Sequence, residues 1–75
     1  MNEITEVEKS FYYFIHDKSG SFKEALFHAI MKADNINKFK LSLGFPEEVR
    51  VVNNYQNTAG YWEELCEKMT NKSEI

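Results

Sequence analysis

The chain has 75 residues, 43% of them hydrophobic and 28% charged, and twelve acidic against nine basic side chains leave it at −3. That length sets one small domain near the lower limit for a self-sufficient core, and the composition excludes disorder except at the ends. The negative balance argues against a non-specific nucleic-acid binder, which must neutralise phosphates with Lys and Arg.

Residues 3–17 are predicted to form a first helix. Ile4, Val7, Phe11, Phe14 and Ile15 recur at spacings of three and four and share one face. Glu3, Glu6 and Glu8 fall in its first turns, where the helix dipole favours negative charge. Gly20, within DKSGS, is the expected terminator. A second helix is expected from Ser21, because Ser21 and Glu24 fit the S-x-x-E capping box. Phe22, Ala25, Leu26, Ala29, Ile30 and Ala33 form its apolar stripe, which Phe27 and Met31 widen.

Asp34 or Asn35 is placed to cap a short third helix, along which Ile36, Phe39, Lys40 and Leu43 recur at helical spacing. Gly44 fits the left-handed position where such a helix stops. Pro46 suits the first turn of a fourth helix, with Glu47 and Glu48 at the positive end of its dipole. Phe45 and Val49 are spaced as a hydrophobic staple, and Val49, Val52 and Tyr55 are expected to face inward. Three valines lower the helix propensity of this segment, so tertiary packing must support it. Thr58 is the expected N-cap of a last helix over residues 59–70, with Trp62, Leu65, Cys66 and Met69 on one face. The expected architecture is all-α: a compact single domain over 1–75 of four to five short helices, with a frayed tail at about 70–75.

Chemistry-bearing patterns are few. The three glycines are isolated at 20, 44 and 60, so no phosphate-cradling loop is present. His16 and His28 fall on different helices and no C-x-x-C or H-E-x-x-H occurs, so neither a metal nor another cofactor is expected. Cys66 has no cysteine partner, which suits a reducing compartment, and its acidic neighbours raise a thiol pKa rather than lower it. Glu47–Glu48 and Glu63–Glu64 are adjacent pairs, which diverge on a helix and make no acid–base dyad. No catalytic set emerges, and a non-enzymatic protein is expected.

Binding surfaces are the remaining class. FYYF at 11–14 covers more than one helix face, so Tyr12 and Tyr13 point partly outward if Phe11 and Phe14 are core. Tyr61 and Trp62 stand at a helix start, and Tyr and Trp are enriched in interface hot spots. The bland alternative places all these rings in the core. Residues 32–40 carry three lysines against Asp34, so Lys38 and Lys40 are assigned as a polar rim. The alternative is a helix-turn-helix-like nucleic-acid binder that offers Asn37, Lys38 and Lys40 to a groove; the usual turn glycine is missing. Self-association, giving a homo-oligomer, is a further way for so small a domain to complete its burial. The opening MNEITEVEKS has no long apolar run, and no segment approaches a membrane span, so a cytoplasmic protein is expected.

Ala33, Asp34 and Asn37, then Gly44 to Val49, then Gly60 to Trp62 follow the patterns A-D-x-x-N, G-[FY]-P-E-x-V and G-[YF]-W. In this, about half of the chain resembles short uncharacterised helical proteins of phages and mobile elements in low-GC Gram-positive bacteria. The resemblance implies an accessory protein that binds and modulates a host or phage protein. It carries no activity and no site residues.

Overall fold

In a computed structural model, residues 4–74 are described, with side chains through Thr70. Among them are five helices and no strand: α1 (Glu6–Ile15), α2 (Ser21–Lys32), α3 (Asn35–Gly44), α4 (Pro46–Asn57) and α5 (Tyr61–Glu74). Helix α4 packs against all four others, and no other helix does. The radius of gyration is 12.5 Å, close to the roughly 11 Å expected for a chain of this length.

The core forms where the inward stripes of α1, α2 and α5 meet α4. Phe11 and Phe14 come from α1, Leu26, Phe27 and Ile30 from α2, Val49, Val51 and Val52 from α4, and Leu65 from α5. The valines that weaken α4 as a helix are thus the residues that pack it. Tertiary burial, at roughly 1.5–3 kcal/mol per apolar side chain, outweighs a propensity deficit of some tenths each. Phe11 sits at the centre, with ring centroids of Phe27, Tyr55 and Trp62 at 5.2, 5.0 and 6.0 Å.

Several helix ends differ from expectation. Helix α1 runs from Glu6 to Ile15, shorter than 3–17 at both ends; Glu3 lies outside the described residues. It stops without Gly20. Asp17 takes the left-handed conformation at φ 60, its N–H bonds to the Phe14 carbonyl, and the Lys18 N–H bonds to that of Tyr13. This is the paired 6→1 and 5→2 closure of a Schellman turn, with an aspartate where glycine is usual.

The capping box belongs to α1 rather than α2. Thr5 Oγ1 accepts the Glu8 N–H at 3.1 Å, and Glu8 Oε1 accepts the Thr5 N–H at 3.0 Å. Ser21 is already inside α2, whose N-cap is Gly20 with no side-chain bond. Of the two candidate caps of α3, Asp34 serves, accepting the Asn37 N–H at 2.8 Å, and Asn35 is already helical.

Gly44 does not occupy a left-handed position; it is the last residue of α3. The corner falls on Phe45, at φ −134 and ψ 62, because a residue before proline is excluded from the helical region. Phe45 is therefore itself the N-cap of α4, one position inside the staple geometry. Thr58 ends α4 instead of starting α5, and the glycine with positive φ is Gly60, at 84°. Helix α5 continues to Glu74, past the expected end at residue 70; Ile75 lies outside the described residues.

Candidate interaction surface

Helix α3 is a ten-residue helix that buries none of its residues completely. Its inner side is formed by Leu41, which packs on the core, and by Lys38. The Lys38 ammonium donates to Asn53 Oδ1 at 3.1 Å and Gln56 Oε1 at 2.8 Å, fastening α3 along α4. Gln56 in turn donates to the Met31 carbonyl at 3.4 Å, which ties the α2 C-terminus to the same junction.

With Lys38 and Leu41 inward, the i, i+3, i+7 row of Ile36, Phe39 and Leu43 must face outward. These three side chains are 68%, 66% and 73% exposed. Phe22, at the start of α2, is 61% exposed and lies 6.0 Å from the Phe45 ring at the end of α3. Helices α2 and α3 thus run antiparallel. Between them lies a groove of about 390 Å³, lined by Ala29, Lys32, Ala33, Asn37, Lys40 and Leu41. The small alanines give it depth, and Lys32 and Lys40 flank it.

Two sequence signals pointed here. The α2 stripe was too wide for one buried face, and the structure divides it: Leu26, Phe27 and Ile30 are inside, whereas Phe22, Ala25 and Ala29 are exposed. In α3, Leu41 lies on the opposite side from Ile36, Phe39 and Leu43, so both sets cannot face the core.

The aromatic residues singled out in the sequence divide between two places. Tyr12, Tyr13 and Trp62 meet on the α1–α5 side: Tyr12 stacks on Trp62 at 5.8 Å, and Tyr13 packs edge-on to Tyr12 at 5.8 Å. Tyr13 is the most open of these, 43% exposed; Tyr12 and Trp62 are half-buried. His16 lies 4.5 Å from the Tyr12 ring. Tyr61 belongs elsewhere. Its hydroxyl donates to Glu8 Oε2 at 2.7 Å across 53 positions of sequence, joining α5 to the start of α1.

Glu8 is a buried carboxylate, 5% exposed, and its oxygens are also approached by the Lys68 ammonium at 3.9 Å. Burial alone would raise its pKa. Hydrogen bonds from the Thr5 N–H and the Tyr61 hydroxyl, with the positive charges of Lys68 and Arg50, outweigh burial and hold it below the usual carboxylate range. Burial and the adjoining carboxylate push the Tyr61 phenol the other way, well above its usual value. Both groups are occupied by each other, as a structural clasp. Cys66 is half-buried, and burial with the Glu63 charge pushes its thiol up, so it stays protonated. Among the described residues no group of three His, Cys, Asp or Glu side chains is placed to hold a metal, and no helix is long and apolar enough to cross a membrane.

No protein-family model matches this chain, and neither a curated protein nor a solved structure matches it significantly.

Proposed function

We propose that the chain is a small non-enzymatic protein-binding module whose recognition surface is the outer side of α2 and α3. The observation that carries this reading is the row Ile36, Phe39 and Leu43, each at least 66% exposed, on a helix that buries no residue of its own. Scattered exposed apolar side chains are ordinary. Three large apolar side chains in one row on a single helix side are the kind of patch that marks an interaction site. An i, i+3, i+7 row is also the anchor spacing of helix-mediated recognition. Tyr13, with Tyr12 and Trp62 behind it, is a second and smaller aromatic contact on the α1–α5 side. A cytoplasmic accessory role of phage or mobile-element type belongs to the same proposal and rests on the short sequence motifs. The nucleic-acid reading has less support, since Lys38 is engaged by Asn53 and Gln56 and the outward side of α3 is apolar.

The test is a triple variant, Ile36→Ser with Phe39→Ser and Leu43→Ser. Exposed positions away from special features change stability by about 0.5 kcal/mol or less each, so its helical spectrum and melting should persist. A partner captured from the native cells and then rebound as a purified protein should be lost by this variant. Undiminished binding would remove the surface from consideration.

A further inference from the structure

The protein-binding reading leaves open what the α2–α3 surface receives, and its electrostatics narrow the answer. Residues 22–45 carry Lys23, Lys32, Lys38 and Lys40 against Glu24 and Asp34, a local balance of +2 in a chain whose total is −3. Asp34 keeps its charge while capping α3, but Lys32, Lys38 and Lys40 outnumber it around the groove. Glu24 is not among the residues that line it. Lys38 is bonded into α4, but Lys32 and Lys40 line the groove and, among the described residues, make no salt bridge or side-chain hydrogen bond. The surface is therefore an apolar row and a small-residue groove, beside which stand two lysines that make no ion pair among the described residues.

We propose that this surface seats an acidic amphipathic helix of another protein, its apolar side on Ile36, Phe39 and Leu43 and its carboxylates against Lys32 and Lys40. The inference rests on the protein-binding reading and specifies its partner. A helix of ten residues is about 15 Å long, so the partner needs about three turns to cover α3. Lysine stems add apolar contact while their ammonium groups stay at the rim. A second copy of the chain fits less well, because α3 against α3 would set one basic rim beside another and like charges repel. A bilayer would leave the concave groove between the helices unfilled.

The experiment uses the full chain and two synthetic amphipathic peptides of about 15 residues, long enough for three to four turns. Both carry the same leucine face; the polar positions are glutamate in one and lysine in the other. Fluorescence anisotropy should show the acidic peptide bound about tenfold or more tighter than the basic one at low salt, with the difference shrinking as salt is raised. The double variant Lys32→Glu with Lys40→Glu should reverse the order and keep the wild-type circular dichroism. Equal affinity for both peptides, abolished by Phe39→Ser, would overturn the acidic partner and leave the protein-binding surface standing. Failure of both peptides to bind overturns the inference as well. In that case, a concentration-dependent dimer dissolved by Leu43→Glu would assign the face to a second copy. Sedimentation with anionic phosphatidylserine vesicles but no peptide binding would overturn both readings.

Discussion

Phe11→Ala will remove a large part of the stability of the fold, about 3–5 kcal/mol. Phe11 is fully buried and touches rings from four helices: Phe14 on its own helix, Phe27 on α2, Tyr55 on α4 and Trp62 on α5. Truncating a buried phenylalanine costs about 3–5 kcal/mol through lost transfer and the cavity left behind. The edge-on aromatic pairs that it loses place the cost toward the upper end of that range. A domain of this size has in total only about 4–11 kcal/mol of stability. The loss is therefore a large part of the stability available. Urea denaturation followed by circular dichroism measures it. Phe11→Leu, which keeps most of the volume, should remain folded and lose about 1–2 kcal/mol. An unchanged midpoint for the alanine variant would mean that Phe11 is not the centre of the core.

The second large effect concerns the Glu8–Tyr61 clasp. Removing the phenol by Tyr61→Phe takes a donor from a buried carboxylate, and a hydrogen bond to a charged group contributes about 1.5–3 kcal/mol. The same change makes stability less dependent on pH in the acid range. Glu8 has a folded-state pKa below its unfolded value, so the folded state holds fewer protons in the acid range. Its contribution is fully present above the unfolded value of about 4.3 and is lost as pH falls through the folded one. Without the Tyr61 hydroxyl the folded pKa of Glu8 rises, and less stabilisation remains at neutral pH. The stability difference between wild type and variant should then be largest near neutrality and shrink as pH falls below about 4. Equilibrium unfolding of both proteins across this range is the measurement. A difference independent of pH would show that the hydroxyl acts by packing and not through the Glu8 charge.

Where the sequence was legible and where it was not follows from the range of the physics involved. Pro46, the acidic first turn of α4 and the Asp34 cap depend on neighbours a few residues away, and they could be read directly. Gly44 misled because the proline two positions later moves the helix break onto Phe45, leaving the glycine inside α3. Thr5–Glu8 and Ser21–Glu24 fit the same capping pattern. Only the backbone decides between them, since Thr5 is extended at the N-cap whereas Ser21 is already helical. The clasp was out of reach, because nothing near Glu8 announces a tyrosine 53 positions on. For the candidate surface, periodicity said which residues of α3 share a side. It could not say that Lys38 and Leu41, not the larger apolar row, would turn toward α4 and the core.

The central position of α4 also determines how the molecule comes apart. Every other helix rests on it, so α4 amides can be exposed to solvent only when the whole assembly opens. Helix α3 is different: Leu41 and the Lys38 bonds hold it on α4 without any fully buried side chain, so it opens before the rest. Native-state hydrogen exchange should accordingly be slowest in α4 and much faster in α3. The same looseness would let α3 adjust its tilt over an incoming helix at little cost to the core beneath it.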